Sequence, residues 1–254
     1  RYERIGLMNA FPNEYLNIPQ SEEKKLFKSQ YFKKFRCVLY APHFEKKSFA
    51  NALESSEITV LTPTGIELMD GSIIPYNELY ITTTMDLASK SGKDKTVILT
   101  RGVCSMGRKF ILDISAGHWN PFERAVEAMR VYLQFRPVVF GIEKASMQND
   151  FFYTIDVAQK EFGVTIPVDE LRHGNIDKNI RIAQLQPSYV AGLIYHNESD
   201  PNTVQLEAQL GAFNMDIQGV DDIIDTAAYQ EQYTVGRSFD EWEEDEYDDN
   251  SRYG

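Results

Sequence analysis

An α/β fold built on one mixed sheet follows from two features of the sequence: a three-stranded antiparallel meander extended by parallel strands, with helices on both faces. Three compact, β-branched runs come in quick succession at residues 79–85 (LYITTTM), 96–103 (TVILTRGV) and 109–114 (KFILDI), with Gly92 and Gly107 in the polar breaks between them. Connections this short join antiparallel neighbours. Downstream the pattern alternates between helix and strand, and the order β-β-β-α-β-α-β places helices on a mixed sheet.

The elements can be justified in chain order. Residues 1–34 are polar and aromatic without a clear period, and Pro12 and Pro19 interrupt them, so residues 1–40 read as a linker or arm. The main domain is expected over 41–237. A short helix is expected over 48–57. Residues 58–76 (ITVL-TPTG-IELM-DGS-IIPY) read as a small β-meander whose turns are TPTG and DG. Pro121 opens a helix in the position proline favours, and Phe122, Ala125, Val126, Met129 and Leu133 follow at helical spacing. Residues 138–142 (VVFGI) form a short buried strand. Phe151, Ile155, Ala158 and Phe162 mark a second helix, with shorter strands at 164–166 and 193–195. A helix is expected from Asp177 to Gln186, stopped by Pro187, followed by an amphipathic stretch at 204–213 and a last helix from Asp221 to about Tyr233. Residues 238–254 read as an acidic, disordered tail.

The bulk numbers narrow the function classes. Hydrophobic residues make up 43% of 254, enough to fill a core. No stretch approaches the roughly 18 apolar residues of a membrane helix. The chain opens on Arg1 without a signal-peptide pattern, which fits a piece of something longer. Cys37 and Cys104 are far apart, so a disulfide framework or zinc site is not indicated. The net charge of −12 argues against a nucleic-acid partner, but residues 239–250 (FDEWEEDEYDDN) hold eight of the acids, and without them the charge is −4. There is no GxxxxGK[ST] loop, no HExxH spacing of His43, His118, His173 and His196, and no GxSxG elbow at Ser105 or Ser146.

Acids at element edges carry the chemistry. Asp86 ends the first strand of the meander, Glu143 ends the strand at 138–142, and Asp221, Asp222 and Asp225 occupy the first turn of the last helix. If the first and fourth strands are sheet neighbours, Asp86 and Glu143 lie side by side, and a helix across that edge adds the Asp cluster. Three carboxylates at one point call for a cation, because like charges packed together otherwise raise one another's pKa. Hard divalent ions take such oxygen ligands. Singly, each acid has a plainer explanation. Asp86 suits a turn, Glu143 suits a strand-end ion pair, and one helix-start aspartate suits a cap. Capping does not account for three acids beside Ile223, Ile224, Ala227 and Ala228, which mark a packed helix.

In these residues the chain resembles the nuclease domain of the large terminase subunit of tailed bacteriophages. The matching stretches run in order: EYLNIP (14–19) like a linker after an ATPase domain; Asp86-Leu87-Ala88 with Asp94 before the next strand; GIEKASMQ (141–148); DKNIRIAQLQPSYVAGLIY (177–195); and VDDIIDTAAY (220–229). Many members carry proline or glycine near the first aspartate and histidine before the paired aspartates, where this chain has Leu87-Ala88 and Val220.

The resemblance implies a ribonuclease-H-like fold over 41–237, two Mg²⁺ or Mn²⁺ ions, and cleavage of double-stranded viral DNA during genome packaging. It carries Asp86, Glu143 and one of Asp221/Asp222 over as catalytic acids and metal ligands, Asp222 first, with Asp225 as a further ligand. Lys178, Arg181, Lys144 and Gln148 carry over as phosphate-binding or site-supporting residues, and Asp94 as a carboxylate behind the ligands. It further implies portal protein and small terminase subunit as partners, an ATPase domain in the full-length chain, and a place in the host cytoplasm rather than the virion. Two other readings remain open: a ribonuclease-H-like junction resolvase, and a non-catalytic docking module for portal or small terminase.

Overall fold

Near-continuous burial along the central β-branched runs, covered on both faces, marks one wide sheet, seen in a computed structural model that describes residues 25–49, 56–88, 95–143, 149–171, 176–215 and 221–233. Its strands, among the described residues, are β1 (Lys33–Phe49), β2 (Ser56–Leu68), β3 (Ile73–Pro75), β4 (Leu79–Asp86), β5 (Thr96–Cys104), β6 (Lys109–Gly117), β7 (Val139–Glu143), β8 (Val168–Leu171) and β9 (Ile194–Asn197). The helices are α1 (Pro121–Phe135), α2 (Asn149–Phe162), α3 (Lys178–Ala183), α4 (Gln186–Val190), α5 (Thr203–Ala212) and α6 (Asp222–Tyr229), the last continued by a 3-10 turn at Gln230–Tyr233. None of these helices is long and apolar enough to cross a membrane.

The strand order is β3-β2-β1-β9-β6-β5-β4-β7-β8. β4, β5 and β6 form the expected antiparallel meander. β7 and β8 add to the β4 side in parallel, and β9 pairs in parallel with both β6 and β1. Side chains along β5 alternate between two cores, as a period of two requires. Ile98 joins Met85, Phe140, Met129 and Phe151 under α1 and α2. Val97 and Leu99 join Ile182, Leu206, Leu210, Ile223 and Ile224 under α3, α5 and α6.

Local chemistry explains where α1 starts and stops. Asn120 accepts from the Glu123 N–H at 3.0 Å while the Glu123 carboxylate accepts from the Asn120 N–H at 2.8 Å, a reciprocal capping box with Pro121 in the first turn. Arg136 then turns left-handed, at φ 45°, and Pro137 prevents continuation.

Several expectations are corrected. Residues 33–40 are sheet rather than arm: β1 starts at Lys33, Phe35 is fully buried, and Phe27 packs edge-on to Tyr189 and Phe213 at 5.4 and 5.7 Å. Isolated phenylalanines among polar residues gave no period, yet each finds a core. The helix expected over 48–57 is absent at its described ends, which belong to β1 and β2. TPTG is not a turn; β2 runs through it, with Pro63 opposite Tyr40 beside register shifts that also take in Pro42. Bulged pairing tolerates residues that lack an N–H. A Cβ at Gly65 would press on the Ile74 carbonyl at 2.8 Å, so glycine here serves the close approach of β3. The DG turn is real, with Gly71 at φ 84° and Ser72 N–H donating to Asp70 at 2.9 Å. Pro187 lies in the first turn of α4, so it begins a helix rather than only ending one. Residues 164–166 precede β8, the Ile166 N–H being taken by the Gln159 side chain at 2.7 Å.

Candidate active site

Parallel pairing of β4 with β7 matches Met85 with Ile142, so the next residues, Asp86 and Glu143, end their strands side by side. Their carboxyl groups are hydrogen-bonded to one another. α6 packs across β4 and β5, where the Thr84 hydroxyl donates to the Thr226 carbonyl at 2.9 Å. That contact turns Asp225, only 5% exposed, inward.

The second arm of the site is α3. Asp177 caps it, accepting from the Asn179 N–H at 2.9 Å. Lys178 and Arg181, three residues apart, share a helix face. Lys178 Nζ lies 2.7 Å from Asp221 Oδ1 and 3.4 Å from Asp225 Oδ2. Arg181 donates to Asp225 Oδ1 from Nη2 at 2.6 Å and from Nε at 3.1 Å, and its guanidinium lies over the Tyr229 ring at 4.3 Å.

The electrostatics follow from this crowding. Burial raises the Asp86 pKa, and the Glu143 hydrogen bond and the charges of Glu143 and Asp225 raise it further, against the pull of Lys178. Burial alone would lower the Lys178 ammonium, but the Asp221 hydrogen bond and the charge of Asp225 hold it above its ordinary value. The site is therefore a cluster of carboxylates in which Asp86 and Glu143 share a hydrogen bond, while Lys178 and Arg181 sit against Asp221 and Asp225.

All its donors are hard oxygens, the set that suits Mg²⁺ or Mn²⁺. Among the described residues, no three His, Cys, Asp or Glu groups already stand at ligand spacing around one point. The Lys178 ammonium bridges Asp221 and Asp225, and the Asp86–Glu143 hydrogen bond closes the remaining gap. By the chemistry of its donors, this set of carboxylates would suit a divalent ion.

Of the residues singled out from sequence, Asp86, Glu143, Asp221, Asp225, Lys178 and Arg181 come together. Asp222 is half-buried in the first turn of α6, and its carbonyl accepts from the Thr226 hydroxyl at 2.8 Å. The charges acting most strongly on Asp86 are those of Glu143, Asp225 and Lys178. Asp94, Lys144 and Gln148 lie outside the described residues. Sequence reading missed Tyr229, the platform beneath Arg181, and also missed Arg101 and Lys109. Both cations are buried in β5 and β6, and a charge interrupting an apolar strand was the available signal.

No protein-family model and no curated protein matches the chain. Solved structures do. The fold is ribonuclease-H-like, the segment β6-β5-β4-β7-β8 forming its mixed five-stranded core. It is shared with nuclease domains of large terminase subunits. The large terminase nuclease of thermophilic phage G20c superposes with a TM-score of 0.50 at 10% identity, over 82% of this chain and 98% of that one. The P22 large terminase nuclease domain gives 0.47 at 9% identity, over 61% and 81%. A yeast mitochondrial Holliday junction resolvase gives 0.41 at 12% identity, over 60% and 77%. At these identities the likeness is one of fold.

Proposed function

We propose that the chain is a divalent-metal-dependent endonuclease that cuts double-stranded DNA in the setting of viral genome packaging. The observation that carries this reading is that Asp86 and Glu143 end neighbouring strands side by side, with Asp225 of α6 near enough for its charge to act on Asp86, at the end of a sheet whose fold is shared with terminase nucleases. Portal protein, a small terminase subunit and an ATP-driven motor domain belong to the same reading as partners.

Asp86 and Glu143 would hold the ions from the sheet, and Asp225, Asp221 and Asp222 would do so from the start of α6. Asp225, whose charge reaches Asp86, stands with Asp222 and Asp221 as the source of the third acid. The chemistry two such ions supply is activation of a water for in-line attack and neutralisation of the leaving 3′ oxygen. Arg181 fixes the Asp225 carboxylate by a two-point donation from one guanidinium. Lys178, whose ammonium lies against Asp221 and Asp225 at the edge of the acids, would offer a positive charge to the scissile phosphate.

The test is cleavage of linear duplex DNA with Mg²⁺ or Mn²⁺, with a chelator control. Asp86→Asn, Glu143→Gln and Asp225→Asn should each lower the rate by more than about a hundredfold, beyond the loss usual for groups that merely support a ligand. Parental rates in Asp86→Asn, or cutting that survives chelation, would sink the proposal. A marked preference for four-way junctions over linear duplex would move the chain to the resolvases.

A further inference from the structure

The four residues after the acidic helix reach all five strands of the ribonuclease-H-like core. Gln230, fully buried, accepts from the Thr82 hydroxyl at 2.6 Å and donates to the carbonyls of Thr82 at 3.3 Å and Leu99 at 2.8 Å, joining β4 to β5. Arg101 of β5 donates to the Gln230 carbonyl and to Glu231, both at 2.6 Å. Lys109 of β6 reaches the other Glu231 oxygen at 2.5 Å. Tyr233 lies on Gly141 of β7, where a Cβ would run into its ring, and its hydroxyl donates to Asp169 of β8 at 3.2 Å.

We propose that this turn, Gln230–Tyr233, is a positioning strap: it sets where α6 stands over β4 and β7, and so where Asp225 meets Asp86 and Glu143. The proposal rests on the nuclease reading for its consequence in metal binding, though not for its mechanical part. α6 has eight residues, and so short a helix does not hold its own place without tertiary ties. Its first turn is tied by Gln209, which accepts from the N–H groups of Ile223 and Ile224 at 3.0 and 3.2 Å. Its last turn is tied to β4 directly by the Thr84–Thr226 hydrogen bond and, running on into the strap, to the rest of the sheet through it. An amide is suited to the position of Gln230, because it accepts from a hydroxyl and donates to two carbonyls at once. A carboxylate could not do both. Gly141 is part of the device: a Cβ there would press on Tyr233 and also on the Leu171 side chain of β8 at 2.7 Å, two residues before Glu143, so Gly141→Ala is read alongside Gln230→Ala.

The test uses Gln230→Ala, Gly141→Ala and the conservative Tyr233→Phe in the full chain. Two quantities are read: Mn²⁺ affinity by calorimetry, and amide hydrogen exchange in α6. Gln230→Ala and Gly141→Ala should weaken Mn²⁺ binding by about tenfold, as loss of groups supporting a metal ligand does, and speed exchange in α6 more than in α1. Tyr233→Phe, which keeps the ring, should stay within about twofold of the parent, by the weakness of an exposed hydrogen bond. Folded variants with parental affinity and parental α6 exchange overturn the strap. If the parent binds no Mn²⁺, the nuclease reading fails. The strap is then decided by exchange alone: faster exchange confined to α6 supports it, and unchanged exchange overturns it. Should Gln230→Ala fail to fold, Gly141→Ala carries the same two readouts.

Discussion

At Asp86, burial and the adjoining Glu143 favour the protonated acid, and the metal-free chain should register this in its stability. The folded-state pKa lies above the ordinary 3.8, so the folded chain keeps a proton that the unfolded chain has released. The contribution to stability is therefore complete below about 4 and is lost as pH rises toward the raised value. Asp86→Asn removes the group that titrates. In chelator, the variant's melting temperature should exceed the parent's by a margin that widens from pH 5 to pH 8. A margin that stays flat with pH would show that Asp86 titrates as an ordinary acid. Saturating Mn²⁺ should narrow the difference, since cations then replace the proton.

Two elements distant in sequence, α3 and α6, are joined by Arg181 and Asp225, 8% and 5% exposed. Removing one partner of a buried pair leaves the other charge uncompensated, at a cost of about 3–5 kcal/mol. Arg181→Met keeps much of the volume and should lose stability on that scale in urea unfolding, with Lys178 as partial compensation. A loss under about 1 kcal/mol would place the contact among ordinary surface pairs. The same element pair shows how far a sequence can be read. Lys178 and Arg181 at i and i+3 could be put on one helix face from their spacing alone. That the opposite bank of the contact is Asp225 needed the packing of α6 against the sheet, of which the Thr84–Thr226 hydrogen bond is one part.

Across the whole molecule, β9 stitches the β1–β2 arm to the five-stranded core, and His196 is its buried fastening. Its Nδ1 meets Glu207 at 2.9 Å, its Nε2 meets the Tyr189 hydroxyl at 3.0 Å, and Lys34 of β1 reaches Glu207 at 3.5 Å. Burial lowers the His196 pKa below its ordinary 6.5, outweighing Glu207. The unfolded chain then takes up a proton that the folded chain resists. Stability is whole above about 6.5 and falls as pH drops below it. The urea midpoint should fall between pH 7.5 and pH 5, and His196→Gln should show less of that fall. Identical pH slopes in parent and variant would remove His196 from the explanation.

The meander, the proline-led α1, the strand at β7 and the adjacency of Asp86 and Glu143 could be argued from sequence because they rest on local rules. Those rules are β-branched runs, short connections, helix caps, and the requirement that a crossover return parallel to its neighbour. What spacing could not reach is long-range. β1 and β2 form part of one continuous sheet because Phe35 and Val38 find cover, and that cover comes from elements elsewhere in the chain. The contact of Asp225 with Arg181 and Lys178, and the crossing of five strands by Gln230, Glu231 and Tyr233, depend on how α6 lies on the sheet. Periodicity fixes which face of an element is apolar. Only packing fixes the rotation and height at which that face comes to rest, and a site assembled from three elements is decided by those two quantities.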